Sequence, residues 1–499
     1  MNGHGVRDHS VSAPWRGTFV ATALDVSLHS DPSSAVDVAD LVGLALRRNP
    51  KRAHLLVSQV LAKHVPTEPG LVIAAGELLG AFVADRLAAM ADDADPHPPC
   101  SSPPPAPLLQ AAKALSTVLQ SPSPQRRAVI AALTEHVARL RTQVPDAVVI
   151  GYAETATGLG RLVANALGAY YIHSTRHATP GVASVAGFEE GHSHATSHTM
   201  VPTDPHWLDG NGPVILVDDE FSTGSTVINT IRELHALVPH STYVVAALID
   251  LRSAVDRARF TALAQELECR ISVTALGTGR IELGEDILAR ASALIQTLPQ
   301  EAAKGTVPLP GGRLSMLELT AADVTPVRSD RFGTTAPPAD ATIASIAAHV
   351  AEHLAALDCQ GPIVVVGCEE NMFVPLAVAQ ALEVLRPGDN VRFSTTTRSP
   401  IVPIDRDDYA ISGALTFASH DLTHDGPGVR FAYNLNGSGQ RPGTVVVFPE
   451  PGTSRRDVVH SAVPELAPLG MAQAMTKVAD DAVIILLPAH SPAPPRTAP

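Results

Sequence analysis

Short apolar runs rich in β-branched residues recur along the chain, each followed by a stretch whose apolar positions have helical spacing. In the first half, 148–151 (VVIG) precedes a helix-like run over 159–167, and 214–217 (VILV) precedes another over 226–237. The run at 244–249 (VVAALI) reads as a third buried strand. In the second half, 363–367 (IVVVG) leads into a helix-like run over 375–382, and 444–448 (TVVVF) and 482–487 (AVIILL) read as further strands. Near-continuous apolar strands alternating with helices predict parallel sheets covered on both faces. The expected fold class is therefore α/β, with two doubly wound, Rossmann-like parallel-sheet domains.

The halves echo one another in detail. VVIGYAE at 148–154 resembles VVVGCEE at 364–370, VANAL at 163–167 resembles VAQAL at 378–382, and each unit reaches a strand followed by Thr-Arg, at Thr175–Arg176 and Thr397–Arg398. The second domain reads as a degenerate duplicate of the first. Proline and small residues mark the breaks. The stretch 95–107 (DPHPPCSSPPPAP) reads as an extended insert, because successive prolines fix φ and remove backbone donors. The stretch 301–313 reads as the linker between a domain over 15–300 and one over 314–489, and 490–499 as a disordered tail.

Composition narrows the function classes. The 499 residues carry 36 basic and 50 acidic side chains, a formal charge of −14, which argues against a nucleic-acid partner held by bulk electrostatics. No apolar stretch reaches the length of a membrane helix and the N-terminus lacks a signal-like core, so no membrane partner and a cytoplasmic location are expected. Four cysteines without a C-x-x-C pair indicate neither a zinc cage nor a disulfide framework.

The candidate chemistry concentrates at 214–226, VILVDDEFSTGST. A buried strand runs into two acids and then into a small, hydroxyl-rich turn that opens a helix. Open α/β sheets bind ligands at the carboxyl ends of their strands. There Asp218 and Asp219 suit sugar hydroxyls, and Ser222, Thr223, Gly224, Ser225 and Thr226 offer hydroxyls and helix N-terminal amides to a phosphate. The lysine of a Walker loop and the three glycines of a dinucleotide fingerprint are missing.

This segment resembles the phosphoribosyl-pyrophosphate (PRPP) motif of type I phosphoribosyltransferases. The resemblance implies a pyrophosphate loop at Glu154, Thr155, Ala156, Thr157 and Gly158, with Arg176 as a further pyrophosphate contact. It implies a mobile loop over 188–200 (FEEGHSHATSHTM), in which Glu190, His192 and His194 are the catalytic candidates beside Asp218 and Asp219; the lysine usual in that loop is absent. Mg²⁺ is the implied cofactor, held by Asp218 and Asp219 directly or through ribose hydroxyls or water. The basic stretch 47–66, with Arg52 and Lys63, reads either as a hood over the substrate or as a solvated face.

In the second half, 394–400 (STTTRSP) resembles the TRSP domain, which accompanies a phosphoribosyltransferase family linked to bacterial tellurium-resistance and stress gene clusters. There Val447-Phe448-Pro449-Glu450 replaces Val217-Asp218-Asp219-Glu220, so the paired acids are lost. Glu370, Arg398 and Ser399 remain as acceptor-pocket candidates, with an Arg398–Glu370 salt bridge as the alternative. The expected activity is transfer of a 5-phosphoribosyl group from PRPP to a base-like acceptor with release of pyrophosphate, in synthesis of a nucleoside-like metabolite. A PRPP or nucleotide sensor without chemistry, or a ribosyl-bond-cleaving enzyme using the same pocket, are the other readings. The partners expected are small molecules, with a homodimer as one arrangement of the chain.

Overall fold

The apolar runs of the first half line up in a six-stranded sheet, in the order Val26–Ser30, Arg270–Leu283, Thr242–Asp250, Val214–Phe221, Val148–Gly151, Tyr170–His173. Only the Val26–Ser30 edge is antiparallel to its neighbour. The computed structural model describes residues 18–48, 53–92, 104–120, 125–179, 182, 184–189, 197–298, 311–421, 423, 426–436 and 441–490. Successive strand residues point to opposite faces, and both faces are covered. Val149, Ile215, Val217, Val244 and Ala246 share a core with Leu78 of helix Pro69–Asp92 and with Leu159 and Val163 of helix Thr157–Leu167. Val148, Ile150, Leu216 and Val245 share another with Val227 and Ile231 of helix Ser225–Leu237 and with Phe260 and Leu263 of helix Ala254–Glu266.

The second sheet has five parallel strands in the order Arg313–Glu318, Asp481–Leu486, Thr444–Phe448, Ile363–Gly367, Arg392–Thr395. One face packs on helices Asp340–Ala356 and Phe373–Leu385 through Val365, Val446 and Val483; the other packs Val364, Val445 and Val447 on Met471, Met475 and Phe417.

Four strands of each sheet share one order of connection, and each sheet has an antiparallel hairpin inserted at the same point. The hairpins are Ala186–Glu189 with Ser197–Met200, and Ala414–Ala418 with Val429–Tyr433. Local hydrogen bonds repeat as well. Ser174 N donates to Gly151 O at 3.0 Å and Thr396 N to Gly367 O at 2.9 Å. Ala153 N donates to Ser174 Oγ at 2.9 Å and Glu369 N to Thr396 Oγ1 at 3.1 Å. The fifth strands differ: Arg270–Leu283 follows its set in the chain, whereas Arg313–Glu318 precedes its own.

Several sequence expectations shift. The 188–200 segment is flanked by paired strands rather than being loop throughout, and its tip, with Glu190, His192 and His194, lies outside the described residues. Of the proline-rich insert, 95–103 lies outside them too, and its end is helical. Helix Ala106–Gln120 begins there, with Pro107 in the first turn, where a missing N–H breaks no helical bond. Arg313, placed in the linker, opens a strand, while 301–310 and 491–499 lie outside the described residues.

Among its described residues the basic stretch is partly buried: Lys63 and His64 are buried, while Arg48 is exposed. The stretch follows the Val42–Leu46 strand, whose hairpin partner is His54–Ser58, and lies against the second half: Arg48 N donates to Pro400 O at 3.3 Å, and Thr67, just beyond the stretch, exchanges backbone bonds with Phe393 of the edge strand Arg392–Thr395 at 2.9 and 2.8 Å. Arg52 lies outside the described residues.

Glu68, just ahead of helix Pro69–Asp92, is buried against Arg126 at 2.8 Å and Arg392. Burial alone would raise its carboxyl, but Arg392 and Arg126 outweigh it and hold the group below its ordinary 4.5. A lowered folded-state value stabilises above the unfolded value and is lost as pH falls through the folded one. The wild-type chain is therefore expected to lose thermal stability below about pH 4.5, and Glu68→Gln to lose less over that range; parallel acid profiles would refute the assignment.

Candidate active site

The strand carrying the paired acids is longer than its apolar run, because Val214–Phe221 stays paired with Thr242–Asp250 through Phe221. Asp218 and Asp219 thus sit on a fixed strand, half-buried, and Asp219 N donates to Asp218 Oδ1 at 2.9 Å. Burial and the charge of Glu220 push the Asp219 carboxyl up, while Lys63 pulls the other way. The next turn reaches φ +70° at Gly224 before helix Ser225–Leu237 begins. Ser222 is exposed and 223–226 are half-buried, so the hydroxyl-rich turn faces solvent. Arg259 donates to Ser225 Oγ at 3.1 Å, adding a cation to the turn that sequence reading missed.

A Cβ at Gly224 would lie 2.6 Å from the Phe260 ring and would hold left-handed backbone. Gly224→Ala is expected to cost about 2–4 kcal/mol, from the left-handed conformation plus overpacking, and to weaken phosphate binding at the turn. Urea unfolding and PRPP calorimetry would check both, and an unshifted urea midpoint would contradict the packing argument.

The expected pyrophosphate loop links Val148–Gly151 to helix Thr157–Leu167 and includes a cis peptide between Ala153 and Glu154. Its cradle is narrower than the resemblance implies. Ala156 N donates to Tyr152 O at 2.9 Å, Thr157 is buried with its carbonyl accepting from Tyr171, and a Cβ at Gly158 would lie 2.9 Å from Met372. Thr155 is half-buried, and its hydroxyl accepts a hydrogen bond from Lys63 Nζ, which also lies 3.4 Å from Glu154 Oε1. Burial alone would raise the Glu154 carboxyl, but Lys63, Arg176, Arg398 and a hydrogen bond from Thr397 outweigh it and hold it low. Lys63 therefore stands between the loop and Asp219, and the TRSP residues reach the same loop from the second sheet. Arg176 is half-buried, its guanidinium 3.1 Å from Nε2 of the buried His198.

Glu370 does not pair with Arg398. Its carboxylate accepts from Thr175 Oγ1 at 2.7 Å and from Arg176 N at 2.8 Å, whereas Arg398 Nε lies 3.4 Å from Glu369 Oε2. Ser399 is half-buried; its amide donates to Thr397 Oγ1 at 3.2 Å and its carbonyl accepts from Tyr433. The contacts are reciprocal, since the first strand-to-helix loop of each sheet meets the segment beyond the next strand of the other. The seam also holds His173, His177, Arg331, Asp421, Arg430 and Glu450, all but Glu450 buried. Their one sequence signal was the Thr-Arg repeat, which places His177 beside Arg176.

Residues 41–280 match the family described as phosphoribosyl transferase, and residues 328–464 match the TRSP domain that lies C-terminal to it. No curated protein matches the chain. Among solved structures, adenine phosphoribosyl transferase of Trypanosoma brucei, in complex with AMP, pyrophosphate and ribose-5-phosphate, is 16% identical over 30% of this chain, with a TM-score of 0.22. The chain spans 65% of that protein's length. The enzyme of Giardia lamblia with 9-deazaadenine is 20% identical over 32% of this chain and 82% of its own, with a TM-score of 0.21. That of Leishmania tarentolae is 18% identical over 34% and 75%, with a TM-score of 0.22. Two consecutive family matches that together span most of the sequence show that the chain belongs to the phosphoribosyl transferase family whose members carry a C-terminal TRSP domain.

Proposed function

We propose that the chain transfers the 5-phosphoribosyl group of PRPP to a base-like acceptor and releases pyrophosphate. The observation that carries this is the Asp218–Asp219 pair on a fixed strand, followed directly by a solvent-facing, hydroxyl-rich turn at a helix N-terminus. Twin carboxylates accept hydrogen bonds from ribose hydroxyls and favour positive charge developing at C1 of the ribose, while the turn holds the 5-phosphate. Lys63 and Arg176 supply cations on the side of the Glu154–Thr155 loop, where the leaving pyrophosphate gains charge. The residues fit Mg²⁺: Asp218 and Asp219 are hard oxygen donors, and Glu220 leaves an excess of negative charge beside Asp219. Asp218 and Asp219 would hold the ion, which would supply positive charge to the leaving pyrophosphate.

We also infer that residues 313–490 are a degenerate copy of the first unit. Shared connection order and repeated hydrogen bonds support the duplication, and Pro449 and Pro451 in place of the second acid and the turn support the loss of PRPP binding. On this reading the reciprocal seam is a dimer-like interface within one chain.

Calorimetry of the full chain with PRPP and Mg²⁺, followed by pyrophosphate release on mixing with candidate bases, tests the function. Binding with base-dependent release is expected. Binding without release for any base indicates a sensor, and no binding overturns the proposal.

A further inference from the structure

One group of buried side chains in the seam has no part in the proposed transfer. His177 comes from the segment after Tyr170–His173, Glu369 from the loop after Ile363–Gly367, and Asp421 from the hairpin loop after Ala414–Ala418. They are 6%, 3% and 7% exposed, and one ligand atom from each lies within 4.8 Å of the others. His177 Nδ1 is 3.9 Å from Asp421 Oδ1. His420, whose side chain is 1% exposed, places Nε2 3.1 Å from the same carboxylate.

Two features point to a cation rather than to a closed hydrogen-bond network. Asp421 Oδ2 and His420 Nδ1 have no hydrogen-bond partner among the described residues, although both are deeply buried, where an unmet polar atom is costly. His177, Glu369 and Asp421 also converge from three separate segments, bringing one ligand atom of each within 4.8 Å of the others. Arg430 and Arg331 also act on Asp421, but their hydrogen bonds go elsewhere: Arg430 Nε is engaged by Glu369 Oε1, and Arg331 pairs with Glu450 at 2.6 Å. Arg430 and Arg398 instead brace the Glu369 carboxylate from outside, as outer partners brace metal ligands.

We propose that His177, Glu369 and Asp421 hold a divalent transition-metal ion, with His420 beside them, in the seam between the two sheets. One imidazole and two carboxylates form a donor set suited to zinc or a neighbouring first-row ion, with a position left for water or a fourth ligand. Because the ligands come from both sheets, the ion ties the halves together. This site is separate from the Mg²⁺ expected at Asp218 and Asp219.

The test uses the full chain, stripped with chelator and titrated with Zn²⁺ alone, reading bound metal by mass spectrometry and the unfolding temperature. One ion per chain and a raised unfolding temperature are expected. His177→Gln and Asp421→Asn should each weaken binding at least about tenfold, while exposed His206→Gln leaves it unchanged. Asp421→Asn removes one of two facing carboxyls, so a folded variant is expected, verified by circular dichroism. Wild-type chain that takes up no zinc, or zinc retained at full affinity in both variants, as the His192 and His194 loop would hold it, overturns the proposal. PRPP binding with and without zinc separates this outcome from failure of the transferase reading.

Discussion

Full-length chains carrying Asp218→Asn and Asp219→Asn together are expected to bind PRPP about 10²–10⁴-fold more weakly, while unfolding at or above the wild-type temperature. Each carboxylate–hydroxyl hydrogen bond is worth about 1.5–3 kcal/mol, and about 1.4 kcal/mol is tenfold in affinity. The unchanged stability follows from charge. Burial and Glu220 already disfavour the ionised Asp219, so neutralising it removes an unfavourable term from the folded state. Near-isosteric amides also keep the strand pairing that extends to Phe221. Calorimetry gives the affinity and thermal unfolding the control. Unchanged affinity in a folded double variant would remove the ribose-binding role from these residues.

The largest expected effect on stability lies at Arg161. Its side chain is 0% exposed, its Nε donates to Asp330 Oδ2 at 3.0 Å, its Nη2 donates to Asp330 Oδ1 at 2.5 Å, and its guanidinium sits 4.5 Å over the Tyr171 ring. The contact joins helix Thr157–Leu167 to the 3₁₀ turn Asp330–Phe332 at the start of the second half. Arg161→Met leaves Asp330 without its counter-charge at a site only 14% exposed, and removing one partner of a buried pair costs about 3–5 kcal/mol. Arg161→Met with Asp330→Leu should recover much of that loss, because no uncompensated charge remains. Urea unfolding of both chains decides it: a single variant as stable as wild type, or a double variant as unstable as the single, would show that the pair does not hold the halves together.

Both variants probe features that differ in how far a linear reading reaches. The apolar run, the acid pair and its turn occupy thirteen consecutive positions, and a strand running into a helix places neighbours in sequence side by side in space. The parallel sheets were legible for a related reason, since strands covered on both faces need consecutive apolar residues, as 214–217 and 363–367 have. Less legible was where strand 214–221 ends, because Asp218 to Glu220 are polar and keep their pairing through backbone bonds that ignore side-chain type.

The seam lay beyond that reach. Lys63 meets Thr155 across 92 residues, Arg430 meets Glu369 across 61, and Thr175 meets Glu370 across 195. No periodicity encodes such pairs, and Glu370, for which Arg398 was the alternative partner, meets Thr175 and Arg176 instead. Local apolar spacing and backbone geometry are written in each segment and so decide the two sheets and the phosphate turn. Which charges are buried together is set only when the sheets dock, because removal from water makes a charged side chain depend on partners brought to it from distant segments.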